Sequence, residues 1–178
     1  MEQLDFQILD WIQEHLACAA LDRVMPWLTR LGDHGILWIA TALFLLLWRP
    51  KRRCGVALTA GLLGSLLIGN VIVKNLAARP RPCWIRPDIA LLIASPTDFS
   101  FPSGHTLASF IAATILLYYD KRFGIPALIL AVIIAFSRLY LYVHFPSDVL
   151  GGVLLGIAIG IGAIFLNERV LQKIKKRT

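Results

Sequence analysis

Long apolar runs are the main feature of the hydrophobic and polar pattern along this chain. Five such runs occupy residues 33–48, 54–73, 104–119, 123–143 and 149–166. A helix needs about 20 predominantly apolar residues, with a range of about 17–25, to cross the hydrocarbon of a bilayer. The second and fourth runs reach this length easily, whereas the other three need flanking residues, a locally thin bilayer or cover by protein. Because the runs are continuous rather than alternating, they predict membrane helices and not barrel strands.

The first 31 residues follow a different pattern. Leu4, Ile8, Ile12 and Leu16 recur at intervals of four, acidic side chains lie between them, and Pro26 interrupts the segment that follows. Such a stripe is typical of an amphipathic helix that lies in the membrane interface. We therefore expect two short interfacial helices here, with a first hairpin that enters the membrane as the alternative.

The composition supports a membrane protein. Hydrophobic residues make up 57% of the 178 residues and the mean hydropathy is +0.69, whereas a soluble domain is nearer half apolar. The sequence therefore predicts an all-α fold, a polytopic membrane helix bundle with about five transmembrane helices. It divides into N-terminal interfacial amphipathic helices (1–31), a membrane domain (32–167) and a basic cytoplasmic tail (168–178).

Lysine and arginine set the orientation of the bundle. Residues 49–53, 120–122 and 168–177 hold 11 of the 18 basic residues but only two of the 11 acidic residues, so they should face the cytoplasm. The N-terminal segment and the connections at 74–103 and 144–148 then face outward. We expect a multi-pass protein of the cytoplasmic (inner) membrane. We expect no nucleic-acid partner, because a formal charge of +7 indicates one only where the charges form a suitable surface.

Several cations lie on the outer side, where the positive-inside rule disfavours them. Lys74, Arg79, Arg81 and Arg86 cluster in one outer loop, and Arg138 lies inside a predicted span near its outer end. An ionisable residue in a membrane helix usually marks a functional site. Arginine binds phosphate oxygens through its planar fork, and lysine acts as a point charge. The cluster therefore predicts an anion-binding site.

Three short motifs combine these cations with two histidines and an aspartate. Lys74 and Arg81 fit K-x6-R-P, residues 102–105 read P-S-G-H, and residues 137–148 fit S-R-x5-H-x3-D. In this order and spacing the motifs resemble the type 2 phosphatidic acid phosphatase family of membrane lipid phosphatases. The resemblance covers roughly residues 31–166, and no motif position departs from the pattern.

The resemblance implies catalytic roles for three residues. His144 would attack phosphorus as the nucleophile and form a phosphohistidine, for which its attacking nitrogen must be unprotonated. Asp148 would accept the proton on the other ring nitrogen and fix the orientation of the ring. His105 would protonate the leaving oxygen and then activate water as a base. Because Pro146 lies between His144 and Asp148, we expect a turn into the fifth helix rather than an unbroken helix.

The resemblance also implies the phosphate-binding residues. Lys74, Arg81 and Arg138 would hold the phosphoryl oxygens and stabilise charge in the transition state. Ser103 and Gly104 would complete the site with backbone N–H groups at the start of the third helix, where a glycine allows close approach. Enzymes of this kind need no metal. We therefore expect no metal ligands and no cofactor, because the cations take that place.

The favoured function is an integral-membrane lipid phosphatase of bacterial type that acts at the extracytoplasmic face. The resemblance implies three candidate substrates, namely phosphatidylglycerol phosphate, phosphatidic acid and undecaprenyl diphosphate, and the sequence leaves the choice open. A lipid phosphotransferase on the same scaffold is one alternative. A non-enzymatic anion- or lipid-binding membrane protein is another, although it explains the cations but not the two histidines and the aspartate.

Other conspicuous residues match no motif. Contact with lipid headgroups explains Arg79 and Arg86 at least as well as contact with substrate does. The three cysteines are interpreted as small apolar fillers. A bridge between Cys18 and Cys83 would require both residues to lie on the oxidising side of the membrane.

Overall fold

The computed structural model describes residues 2–175, and the side chains of residues 2–173. The helices are α1 Glu2–Leu16, α2 Ala19–Arg30, α3 Ile36–Leu47, α4 Arg52–Gly64, α5 Pro82–Ile85, α6 Gly104–Tyr119, α7 Lys121–Tyr140 and α8 Pro146–Lys175. α4 continues as π-helical turns over Ser65–Val73 and ends with an α-helical turn over Lys74–Ala77. The predicted all-α fold is confirmed. Residues 176–178 of the predicted tail lie outside the described residues.

Three of the described helical stretches are long and apolar enough to cross a membrane. They run over Arg49–Ile85, Lys121–Tyr140 and Pro146–Lys173. α2 and α3 meet the same test only as a pair bent by 40°, which is the geometry of a broken span or a re-entrant loop. α6, with 16 residues, is a shorter apolar helix. The predicted membrane helix bundle is therefore confirmed. Three of its apolar elements are long enough to span alone, α2 and α3 are long enough only as a bent pair, and α6 is shorter than a full span.

α6 lies at the centre of the bundle, packed against α4, α7 and α8. Its residues Leu107, Ile111 and Ile115 are completely buried. Gly156 and Gly160 of α8 face it, and a Cβ at Gly156 would lie 2.9 Å from the carbonyl oxygen of Leu107. Small residues thus let the two backbones approach closely. Because protein rather than lipid covers α6, its short length does not need to match the bilayer.

The N-terminal segment, defined here as residues 2–35, packs over the connection between α7 and α8. Leu9 of α1 is buried against Phe145, and Gln13 Nε2 donates to the Tyr140 carbonyl oxygen at 2.7 Å. Of the predicted apolar stripe of α1, Ile12 is buried and Leu16 packs against the same cluster, whereas Leu4 and Ile8 are exposed. The interfacial location of residues 1–31 stays a prediction, and the bent pair makes α2 a candidate for part of a span.

The cysteines are free thiols. Cys54 and Cys83 are buried, as small apolar fillers would be, and Cys18 is exposed. The structure contains no Cys18–Cys83 bridge.

Candidate active site

Helix ends and the turns beside them carry all eight predicted site residues. They are Lys74 and Arg81 around the end of α4, Ser103, Gly104 and His105 at the start of α6, Arg138 in the last turn of α7, and His144 and Asp148 at the turn into α8. Pro146 begins α8, and the chain turns sharply before it, with φ 57° at Tyr142. The expected turn between α7 and α8 is present, and it brings His144 back over the end of α7.

One cavity of about 1310 Å³ connects these residues. Six of the eight line it, namely Lys74, Arg81, Gly104, His105, Arg138 and His144. Asp148 and Ser103 are completely buried. The cavity continues between α3 and α4, where its walls are aliphatic and include Ile39, Leu43, Leu46, Leu62, Leu63 and Leu66. A polar head and a long apolar tail could therefore occupy one continuous space.

His144 is 1% exposed and contacts Arg81 directly. Its Nε2 accepts a hydrogen bond from Arg81 Nη1 at 3.0 Å. A guanidinium has no acceptor, so this contact requires Nε2 to be the unprotonated ring nitrogen and leaves the hydrogen of the neutral ring on Nδ1. The lone pair that a nucleophile needs thus lies on the nitrogen beside Arg81.

Asp148 holds the other side of that ring together with a serine. Its Oδ2 lies 3.7 Å from His144 Nδ1, which is longer than a hydrogen bond. The Ser100 hydroxyl donates to Asp148 Oδ2 at 2.5 Å and lies 3.4 Å from His144 Nδ1. The Phe145 N–H donates to the same carboxylate oxygen at 2.8 Å. Ser100, which the sequence did not single out, therefore contacts both members of the predicted pair.

The surroundings of His144 keep its imidazole neutral. Burial lowers the pKa of His144 well below its usual value, and the cations Arg81, Arg138 and Lys74 lower it further. The neutral imidazole is the form that can attack an electrophile. Hydrogen bonding and electrostatics therefore agree that His144 Nε2 is unprotonated.

Arg81 and Lys74 both contact a carboxylate that no motif contains. Asp98 Oδ1 accepts from Arg81 Nη2 at 2.7 Å, and the Asp98 carbonyl oxygen accepts from Arg81 Nε at 2.7 Å. Lys74 Nζ forms an ion pair with the second carboxylate oxygen. Burial raises the pKa of Asp98, but the hydrogen bonds and charges of Lys74 and Arg81 outweigh it and hold the pKa at about 2. Asp98 therefore neutralises part of the positive charge of the site.

Arg138 is 3% exposed, at the end of α7. Its Nη1 donates to Thr29 Oγ1 of α2 at 2.5 Å. Among the described residues, its buried Nε has no hydrogen-bond partner. A buried N–H without an acceptor costs free energy, so an anion that accepted from it would be favoured.

His105 and Gly104 open α6 into the cavity. His105 Nε2 lies 2.9 Å from Asp33 Oδ1, in the turn between α2 and α3, and this carboxylate orients the ring. A Cβ at Gly104 would lie 3.1 Å from Asn70 Oδ1 and 4.0 Å from Lys74 Nζ, so a larger residue would crowd the site. The Ser103 N–H donates to the Asp148 carbonyl oxygen at 3.2 Å and thereby ties α6 to α8.

Arg79 and Arg86 each pair with an aspartate of α1, and their contact with lipid headgroups stays a prediction. Arg79 Nη1 donates to Asp148 Oδ1 at 2.6 Å, and its Nη2 donates to Asp5 Oδ2 at 2.8 Å. Arg86 Nη1 forms an ion pair with Asp10 Oδ1 at 2.7 Å. Both arginines therefore contact α1, and Arg79 also contacts a predicted catalytic residue.

Sequence reasoning left six residues out of the site that contact it directly or, for Asp5, through Arg79. They are Asp5, Thr29, Asp33, Arg79, Asp98 and Ser100. For Asp98 and Ser100 the only signal is their position just before the P-S-G-H motif. The first three lie in the N-terminal segment, where no motif marks them.

Within residues 2–173, no group of three or more His, Cys, Asp or Glu side chains comes together in a way that could hold a metal ion. The carboxylates near the site have other partners: Asp98 contacts Lys74 and Arg81, and Asp148 contacts Arg79. The expectation that the chain needs no metal stays a prediction.

Comparisons with known proteins point to one family. The family model described as PAP2 superfamily matches residues 54–170. An undecaprenyl-diphosphatase of Sulfolobus acidocaldarius is 37% identical over 139 residues, an alignment that covers 78% of this chain and 66% of the relative. The chain thus spans just under two thirds of that protein's length.

Two solved structures share the fold. The crystal structure of Aquifex aeolicus LpxE has a TM-score of 0.79 and 28% identity, and the match covers 90% of this chain and 94% of that one. The PAP2-type phosphatidylglycerolphosphate phosphatase from Bacillus subtilis has a TM-score of 0.73 and 29% identity, with coverage of 97% and 87%.

Proposed function

Because this chain belongs to the PAP2 superfamily, we propose that it hydrolyses a lipid phosphate through a phosphohistidine on the extracytoplasmic face of the membrane. Family membership confirms the resemblance drawn from the three motifs, and relatives named as phosphatases support the same activity here. The substrate, the intermediate and the side of the membrane belong to the proposal. The observation that carries it is the buried, neutral His144, whose Nε2 lies 3.0 Å from Arg81 at the edge of the cavity.

In the first step, His144 Nε2 attacks the terminal phosphorus of the substrate. The new P–N bond forms as the bond from phosphorus to the leaving oxygen breaks, and His105 donates a proton to that oxygen. The leaving oxygen is the bridging oxygen of a diphosphate or the ester oxygen of a monophosphate. The Nδ1–H of His144 then faces Ser100 and Asp148, whose negative charge stabilises the ring as it becomes positive. In the second step His105 accepts a proton from water, water attacks phosphorus, and the P–N bond breaks to release inorganic phosphate.

The cations bind the phosphoryl group throughout. In the absence of substrate Arg81 donates to His144 Nε2, so a phosphoryl oxygen must replace that acceptor before attack. The Nε of Arg138 offers a second hydrogen-bond donor to the phosphoryl group. Lys74 adds a third positive charge. Because these groups are buried, their attraction for the charge that develops in the transition state is screened little by water.

The favoured substrate is undecaprenyl diphosphate, with phosphatidylglycerol phosphate and phosphatidic acid as the other candidates. The Sulfolobus relative is named an undecaprenyl-diphosphatase, and the Bacillus structure is titled a phosphatidylglycerolphosphate phosphatase. The aliphatic part of the cavity, between α3 and α4, gives the lipid chain a path that begins at the phosphate site. The positive-inside rule supports the outward orientation, because residues 49–53 and 120–122 lie at the opposite helix ends.

The first experiment measures phosphate release in detergent from all three lipids, with EDTA present and with wild type compared with His144→Ala. We expect wild type to hydrolyse at least one lipid and His144→Ala to lose about 10⁴-fold or more of that turnover. Turnover retained in His144→Ala would refute the nucleophile, and loss of wild-type turnover in EDTA would refute the metal-free mechanism. Transfer of phosphate to an added acceptor alcohol, without release, would instead support the phosphotransferase.

A further inference from the structure

The carboxylate of Asp148 faces two different groups of residues. Its Oδ2 accepts from Ser100 and from the Phe145 N–H, on the side of His144. Its Oδ1 accepts from Arg79 Nη1 at 2.6 Å. Asp148 is completely buried, so Arg79 is the cation that compensates its charge away from the cations of the phosphate site.

Arg79 is in turn held by α1. Its Nη2 donates to Asp5 Oδ2 at 2.8 Å, and its guanidinium lies over the Phe145 ring at 4.1 Å from the ring centroid. Asp5 is 5% exposed. Its carboxylate also accepts from Ser147, through the backbone N–H at 3.0 Å and the hydroxyl at 2.5 Å. The Arg79 fork therefore has one fixed position between two buried carboxylates.

We infer that Asp5 is a positioning residue of the active site, which acts through Arg79 on the catalytic Asp148. The inference rests on the proposed function, because it requires Asp148 to support catalysis. A guanidinium between two carboxylates has less freedom than one that pairs with a single partner. With Arg79 fixed, Asp148 keeps Oδ2 directed at Ser100 and His144. Helix α1 thereby becomes part of the catalytic apparatus, although it precedes the matched family residues 54–170.

The same helix offers a matched control. Asp10 of α1 pairs with Arg86 Nη1 at 2.7 Å and accepts from the Tyr142 hydroxyl at 2.7 Å. The Arg86 guanidinium lies over the Phe6 ring, as that of Arg79 lies over Phe145. Both pairs connect α1 to the chain between α4 and α6. Only the Asp5–Arg79 pair continues to a predicted catalytic residue.

The test compares Asp5→Asn with Asp10→Asn in the full chain, with the lipid that wild type hydrolyses. We expect Asp5→Asn to lower kcat about ten-fold with little change in KM, because the phosphate-binding cations are untouched. Asp10→Asn should change kcat by less than about two-fold. Asp5→Glu, which keeps the charge, should recover part of the activity. In the Asp148→Asn background, Asp5→Asn should have an effect smaller than about two-fold, because the group it acts on is gone.

Three results would overturn the inference: equal losses in Asp5→Asn and Asp10→Asn, a loss carried by KM rather than kcat, or a full ten-fold loss that persists in Asp148→Asn. If Asp5→Asn does not fold, Arg79→Lys and its control Arg86→Lys carry the same test, since lysine lacks the fork that joins two carboxylates. If wild type hydrolyses none of the three lipids, the proposed function is refuted instead. If wild type is active and one of the three results above is observed, only the role of Asp5 is refuted.

Discussion

The family-matched bundle, residues 54–170, and the N-terminal segment, residues 2–35, contribute to the active site in different ways. The bundle carries every motif residue. The N-terminal segment carries no motif, yet Thr29 contacts Arg138, Asp33 contacts His105, and Asp5 reaches Asp148 through Arg79. The motifs thus locate the reacting groups, whereas side chains from outside the matched region contact Arg138 and His105 directly and reach Asp148 through Arg79. Each contact can be tested with two substitutions, one in the N-terminal segment and one in the family-matched bundle.

The largest difference is expected at His105 and Asp33. His105→Ala removes the proposed general acid and should lower kcat by about 10²–10⁴-fold. Asp33→Asn keeps the general acid but weakens its partner, and Asp33 is 44% exposed, so we expect a loss of about ten-fold. Steady-state kinetics on the preferred lipid measures both. Asp88→Asn, at an exposed carboxylate between α5 and α6, is the control.

A loss in Asp33→Asn as large as that in His105→Ala would make Asp33 a catalytic group and contradict the division of roles. Activity equal to that of the Asp88→Asn control would show that His105 needs no partner from the N-terminal segment. In the double variant His105→Ala/Asp33→Asn, the aspartate substitution should add little, because the two side chains act as one unit.

Much of the fold could be predicted from the sequence because membrane helices are specified locally. Residues 104–119 were predicted as a helix from their apolar run, and α6 has these bounds. Length is predicted less well than position. α8 extends to Lys175, beyond the predicted end at residue 166, because an amphipathic continuation carries no break signal. The bend between α2 and α3 depends on the left-handed backbone at His34 and Gly35. The spacing of hydrophobic residues does not predict such a backbone conformation.

The site could be predicted only as far as its motifs extend. Lys74, Arg138 and His144 carry functional groups whose type and spacing are visible in the sequence. Their partners are brought close by tertiary packing: Thr29 and Arg138 are 109 positions apart. Ser100 lies in an irregular loop, where neither a helical nor a strand period indicates which side chains face inward. Buried polar groups such as Arg138 form hydrogen bonds with residues that are distant in the sequence, and no local sequence pattern predicts these partners.

A smaller effect is expected at the Thr29–Arg138 contact. Thr29→Val is nearly isosteric and removes the acceptor of Arg138 Nη1, leaving a buried charge with one hydrogen bond fewer. Thr29 also fixes the orientation of the Arg138 guanidinium, and without that contact Arg138 should bind anions less well. We therefore expect the inhibition constant of vanadate, a mimic of pentacoordinate phosphorus, to rise about five-fold. Thr29→Ser restores the hydroxyl and should restore the wild-type constant. A rise of equal size in Thr29→Ser would point to packing, not to the hydrogen bond.

The smallest effect, and one of opposite sign, is expected at Asp98, a carboxylate of the bundle itself. Asp5 and Asp33 are proposed to support catalytic residues, whereas Asp98 occupies Lys74 and Arg81, the groups that must bind the phosphate. Asp98→Asn should therefore lower the inhibition constants of vanadate and inorganic phosphate by about two- to five-fold.

The pKa of Asp98 decides how that gain depends on pH. Although burial raises this pKa, Lys74 and Arg81 hold it at about 2, so the carboxylate is ionised at every pH well above that value and is protonated only as pH falls through it. Between about pH 5 and 8 the ionised Asp98 therefore competes with the anion for Lys74 and Arg81 to the same extent. The ratio of the wild-type to the Asp98→Asn inhibition constant should not change over this range. Weaker anion binding in Asp98→Asn would mean that Asp98 positions the cations, and the contrast between the carboxylates of the two regions would disappear.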